Sequence, residues 1–307
     1  MSSDSDDDLD VVVYTPHEML VLGLGFQGFS ENQVYRVKDE TSQTRLRSHY
    51  GLNSVGCAQL WEDLQTTPCL EARINPKKRC IKMFFQSLHF LRCYPTEDQR
   101  DGKWFSKRKN RDDGWYYVER IGALKRLKLS WPLDNFGDDI WVMSVDGVHF
   151  KTHEKRSDRL NLDPALFCYK HKCAGFNYEI GISLATSKIV WFNGPFESGS
   201  YNDIKIFATK GLLSKLRAHN KRAIGDGGYR GYPDCMSTPN IKYDKEEVRN
   251  FKSRARMRHE RFNAMLKTFK VLDDKFRSDK TRLQHSFEAV AAICQYKMDL
   301  EAPLYDV

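Results

Sequence analysis

The chain has 307 residues, 40% hydrophobic and 29% charged, enough to bury a full core and typical of a soluble globular protein. No apolar stretch reaches membrane-spanning length, and the N-terminus lacks the basic-then-apolar form of a signal peptide, so no membrane partner and no secretion are expected. Net charge is +8, but residues 1–10 hold five aspartates and no base, leaving +13 on the other 297, a balance that favours a polyanionic partner such as nucleic acid.

Residues 1–12 read as a disordered acidic tail. Between 42 and 66, Leu46, Tyr50, Leu52, Val55, Leu60, Trp61 and Leu64 fall on helical spacing, broken near Gly51-Leu52-Asn53-Ser54. That pattern predicts a helix-turn-helix, either packed or reading DNA. A further helix is expected over 80–93. The polar segment 101–111 follows, and its Lys107, Arg108 and Lys109 are candidate phosphate-gripping residues. It reads as an exposed loop leading into a helix at 115–129 whose aromatics Trp115, Tyr116 and Tyr117 face the core. Pro132 closes this helical N-terminal region, assigned to 13–135.

From 139 the period shifts to strands at 141–150, 173–185 and 188–194. A helix at 202–218, a strand at 221–226 and helices at 246–278 and 283–299 follow. The order predicts an α/β domain over 136–307, a sheet flanked by helices. The eight cysteines form no C-x-x-C pair, which suits reduced thiols in an intracellular protein. A zinc site built from Cys168, His171 and Cys173 would lack a matching second pair nearby.

Three acids carry the functional reading. Asp146 follows the apolar run Trp141–Val145, Asp226 follows Ala223-Ile224-Gly225, and Glu260 lies in the basic helical stretch Arg254–Phe262. Two strand-end carboxylates and one from a helix can hold a pair of hard divalent cations, as attack on a phosphodiester requires. Each acid also has a plain structural explanation: a hairpin turn at Asp146-Gly147, a strand-ending turn at Asp226-Gly227-Gly228, and solvation of Glu260 among arginines. Strand-end acids of an α/β domain, however, point into the crevice where ligands bind. Glu260 is expected one turn from Met257 and Ala264, beside the apolar stripe, with Asn263 and Lys267 on its face. Arg254, Arg256, Arg258 and Lys267 would track a DNA strand toward the acids. A fourth acid, Asp203, fits either a capping box begun by Ser200 or a place beside the other carboxylates.

Four blocks occur in order: Asp146-Gly147-Val148-His149; Gly194-Pro195-Phe196 with Ser198 to Asp203; Gly225 to Tyr229; and Arg258 to Phe262 with Leu266, Lys267 and Phe269. Together they resemble the PIF/Harbinger-type DDE transposases over roughly 139–307. The resemblance implies an RNase H-like fold, catalytic roles for Asp146, Asp226 and Glu260, and a contribution of Asp203 to metal binding. Val148 departs from the threonine more usual in that family. The cofactor implied is a divalent cation, two Mg²⁺ or in their place Mn²⁺, with Asp146 bridging the pair and Asp226 and Glu260 each completing one shell. The implied partners are DNA, a second copy of the chain and a separate Myb-like DNA-binding protein, in the nucleus. A host-recruited adaptor that keeps the fold without chemistry stays open as the alternative.

Overall fold

The computed structural model describes residues 11–36, 38–69, 71–104, 109–128, 140–153 and 163–305. The acidic residues 1–10, the Lys107-Arg108 pair and the expected boundary at 135/136 lie outside them. Val12, read as part of the tail, is held in place: its carbonyl accepts from Trp61 Nε1 at 2.7 Å and from Gln65 Nε2 at 2.9 Å.

The first part of the chain is helical: α1 (Pro16–Gly25), α2 (Glu31–Tyr35), α3 (Asp39–Tyr50), α4 (Ser54–Thr66), α5 (Ile81–Cys93), α6 (Glu97–Trp104) and α7 (Lys109–Lys128). The expected break between α3 and α4 falls at Gly51, whose φ of +87° ends α3 in the left-handed region that glycine adopts without a Cβ clash. Asn53 caps α4 by accepting from Gly56 N. The described parts of the basic segment expected as a loop are helical instead: 101–104 close α6 and 109–111 open α7. Trp104, Trp115 and Tyr117 are buried, so these aromatics serve the core.

The sheet comprises β1 (Trp141–Lys151), β2 (Phe167–Cys168), β3 (Cys173–Ser183), β4 (Ile189–Glu197), β5 (Arg222–Ile224) and β6 (Met236–Ser237). Its order is β4-β3-β1-β5-β6, with β2 pairing the start of β3. The β1–β3 and β3–β4 pairs are antiparallel, whereas β1–β5 and β5–β6 are parallel. Two short helices, α8 (Asp203–Thr209) and α9 (Leu212–Ala218), lie between β4 and β5. They replace the single helix expected at 202–218, because Gly211, at φ +106°, breaks the run. The long helix expected over 246–278 likewise ends early, as α10 (Glu246–Lys267) followed by α11 (Lys270–Asp273). The chain continues with α12 (Lys280–Leu300). A mixed sheet of three antiparallel strands continued by parallel ones, with helices on both faces, is the RNase H-like architecture.

One apolar cluster, built on Val142, Met143, Val145, Phe207, Leu212 and Leu216, fills the face under α8 and α9. A second runs from the N-terminal helices through α12 to the opposite sheet face, where Val148, Phe150, Tyr178 and Phe287 meet. Residues 286–296 of α12 are buried without interruption, so that helix is enclosed on all sides.

Candidate active site

Register explains why Asp146 and Asp226 are neighbours. Ser144 of β1 is paired with Ile224 of β5 in a parallel ladder, and each aspartate lies two residues further on. An even step keeps both on the same face and at the same height. Asp146 and Gly147 lie within β1, opposite Ile180 and Glu179 of β3, so they make no hairpin turn. β5 stops at Ile224, which leaves the edge of β1 open at this level. Asp226 then caps a short turn, its carboxylate accepting from Gly228 N at 2.8 Å.

Asp203 arrives over Gly147 from the α8 side. A Cβ on Gly147 would come within 2.0 Å of Asp203 Oδ1, so glycine is what lets the carboxylate approach. The capping-box reading of Asp203 is corrected: Asn202 caps α8 by accepting from Lys205 N, and Asp203 is the first helical residue.

Glu260 reaches the site from α10. The buried face of that helix carries Lys252, Ala255, His259, Phe262 and Leu266. The stripe beside it carries Arg256, Glu260, Asn263 and Lys267, spaced four, three and four apart. Met257 and Ala264 are exposed and form no apolar stripe, so Glu260 is placed by the rotation of α10 rather than by those neighbours. Glu260, Arg256 and His259 line a cavity of about 60 Å³ together with Asp146 and Asp226. Asn263 Nδ2 donates to Asp146 Oδ2 at 2.9 Å, and Gly147 N donates to Asp146 Oδ1. His259, buried, meets Ser144 Oγ at 3.1 Å, and burial pushes its pKa down to about 3.

The electrostatics are those of crowded like charges. Burial, followed by the charges of Asp203 and Asp226, raises Asp146 to about 6. Asp203 is raised by burial and by Asp226, while Lys170 works the other way on both. Beneath them Glu179 is buried in β3 and raised to about 8, with one oxygen accepting from Trp191 Nε1 at 2.9 Å. Its Oε1 and the Tyr229 hydroxyl are buried with no hydrogen-bond partner among the described residues. Among the described residues no three of the acids offer oxygens all within 4.8 Å of one another. An all-oxygen donor set that repels itself fits a hard divalent cation, whose charge would reverse the cause of these shifts.

The basic residues separate into groups. Arg256 and Lys267 share the stripe of Glu260. Arg254 lies about 150° round the helix from that stripe, in an open groove with Glu247, Asn250 and Met257. Arg258 does not face DNA: it is fully buried, donating to Ser183 O at 2.7 Å and to Ser187 Oγ at 2.9 Å, and so holds the β3–β4 turn against α10. Replacing it with alanine is expected to lower stability by about 3 kcal/mol in urea denaturation, through lost packing and the loss of its hydrogen bonds to Ser183 O, Leu184 O and Ser187 Oγ. A loss below 1 kcal/mol would contradict that role. Lys109 is the first residue of α7. Lys170, Lys205 and His149, which the sequence did not single out as site residues, line a cleft of about 350 Å³ beside Asp203 together with His171, whose ring stacks on His149. Cys168 and Cys173 face each other across β2 and β3, and Cys173 Sγ is 3.6 Å from His149 Nε2. These cysteines and His171 form no metal-ligand trio.

Among the described residues no helix is long and apolar enough to cross a membrane. No curated protein and no solved structure matches the chain. The family model of the DDE superfamily endonucleases matches residues 145–295, a span that opens beside Asp146 and takes in Asp203, Asp226 and Glu260. On an RNase H-like sheet with Asp146 within its central strand and Asp226 just past the end of the neighbouring one, that match identifies residues 145–295 as a DDE superfamily endonuclease domain.

Proposed function

We propose that the chain is a metal-dependent DNA endonuclease and strand-transferase of the PIF/Harbinger transposase type. The observation that carries this reading is the convergence of Asp146, Asp226 and Glu260 on one cavity, from the middle of β1, the turn after β5 and a helix. Asp146, Asp226 and Glu260, with Asp203 beside them, are the residues that would hold the divalent cations, two Mg²⁺ or Mn²⁺. Bound there, such ions would supply charge neutralisation and activation of an oxygen nucleophile for in-line displacement at phosphorus. Asn263 holds the Asp146 carboxylate in place, and Ser144 with His259 fixes the separation of α10 from β1. Arg256 and Lys267 then draw the phosphate backbone along the stripe that carries Glu260, while Lys170 and Lys205 line its continuation past Asp203. A second copy of the chain would bring two DNA ends together, a Myb-like partner would supply sequence recognition, and the setting is nuclear.

The test is cleavage of duplex DNA by the full chain with Mg²⁺, with chelator, and with Mg²⁺ restored. Chelator-sensitive nicking that returns with the metal is expected. DNA binding without nicking under any divalent cation would favour the adaptor reading. In the same preparations, Arg256→Ala and Lys267→Ala should each lower the slope of log affinity against log salt by about 1, with a smaller change for Arg254→Ala. Equal effects at all three positions would contradict the proposed path.

A further inference from the structure

A second constellation lies outside the endonuclease domain and shares no residue with the acids. His89 and Cys93 are four apart on α5, which puts them one above the other on a single face. His49, next to the last residue of α3, completes a trio whose ligand atoms all lie within 4.8 Å of one another. The His49 and His89 rings lie 20° from parallel at 6.2 Å, and Cys93 Sγ points at the His49 carbonyl, 3.7 Å away. His89 is 6% exposed, and its Nδ1 is buried without a hydrogen-bond partner. A buried ring nitrogen in that state costs free energy that a bound ligand would recover.

The neighbourhood suits coordination. Burial lowers His89 to about 3 and lowers His49 as well, so both imidazoles are in the neutral form that donates to a metal. Burial raises the Cys93 thiol, and the charges of Arg92 and Lys103 oppose part of that rise.

We propose that His49, His89 and Cys93 form a zinc site that clamps α3 to α5. Two imidazole nitrogens and one thiolate are the borderline-soft donors zinc prefers over the hard cations suited to the carboxylates. A tetrahedral ion holds such donors about 3.5 Å apart, a closure within reach of side-chain rotation, and it leaves the fourth position to water. Cys93 gives up its thiol proton to solvent when the ion binds. The clamp lies where the helical region meets the turn after α10. Arg92 Nη1 donates to the Thr268 carbonyl, its guanidinium lies 5.4 Å from the centre of the Phe269 ring, and a Cβ on Gly51 would touch that same ring. Zinc would therefore stiffen the support of the helix that carries Glu260.

The test uses the full chain stripped of metal, in excess Mg²⁺ to occupy the carboxylates, and titrated with Co²⁺ as a spectroscopic stand-in. A thiolate-to-cobalt charge-transfer band that saturates at one equivalent and is displaced by Zn²⁺ is expected. Cys93→Ser should abolish the band and Cys168→Ser should leave it. His49→Gln, at a half-buried helix end, should weaken zinc binding roughly 100-fold or more while the metal-free melting curve stays unchanged. The absence of a thiolate band at one equivalent in the unmodified chain, or its survival in Cys93→Ser, overturns the proposal. The band reports a cysteine ligand and does not depend on DNA cleavage, so this outcome is separate from the fate of the endonuclease reading.

Discussion

Asp226→Asn is expected to lower Mg²⁺-dependent DNA cleavage by about 10³-fold or more, about 4 kcal/mol of barrier, with DNA affinity nearly unchanged. The substitution keeps the shape of the side chain and the acceptor for Gly228 N, so the turn after β5 survives. What it removes is one negative charge at the point where the parallel β1–β5 register sets two carboxylates side by side. Asp146→Asn should be equally severe. Glu260→Gln should cost less, about 10²-fold, because Glu260 is exposed and reaches the cavity from a helix. Single-turnover cleavage with binding measured separately distinguishes loss of chemistry from loss of affinity. Cleavage within a few-fold of the unmodified chain in all three variants would sink the assignment.

In chelator, Asp146→Asn should make the protein more stable, by about 1–2 kcal/mol at pH 7.5. The carboxyl of Asp146 is raised from 3.8 to about 6, chiefly by burial and then by Asp203 and Asp226. Between those two values the folded chain holds a proton that the unfolded chain has released. Stability from this group therefore falls as pH rises through that window, and the full penalty applies above pH 6. Asparagine carries no such penalty, so the two proteins should converge near pH 4 and separate as the pH increases. The partly exposed position of Asp146 reduces the effect below what the whole shift would give. The replacement also finds its partners. Asn263 Oδ1 is buried with no partner, so rotation of the Asn263 amide would let it accept from the new amide at 146. Added Mg²⁺ should narrow the difference by stabilising the unmodified chain more than the variant. Thermal melts at pH 4.5 and 7.5, with chelator and with Mg²⁺, measure each of these. A variant less stable than the parent at pH 7.5 in chelator would contradict the repulsion account.

The site was legible where local pattern and strand position coincide. Asp146 and Asp226 each follow an apolar run; β1 in fact continues past Asp146, but β5 stops at Ile224, so both carboxylates meet the open edge of the sheet. Glu179 was not legible, since an acid inside Tyr178–Ile182 gives no sign of whether it lies on an open edge or at the centre of a sheet. Arg258 was misread for a related reason. On a helix so rich in arginine, charge alone does not say which member turns inward, and only the α10 rotation that buries His259 and Phe262 decides it. The breaks at Gly211 and after Lys267 were missed because apolar spacing continues across both. The two-residue strands β2 and β6 are too short to carry a period.

The enclosure of α12 bears on how the molecule is made. Its residues 286–296 complete both the cluster shared with the N-terminal helices and the covering of the sheet. Synthesis delivers that segment after every strand and after α1 to α11. Until residues 280–300 have left the ribosome, the helices made first can pack on one another but lack the α12 side of their core, and the sheet keeps part of one apolar face uncovered. Closure of the main core therefore waits for the last long helix, and the half-made chain is the state in which chaperone protection matters most.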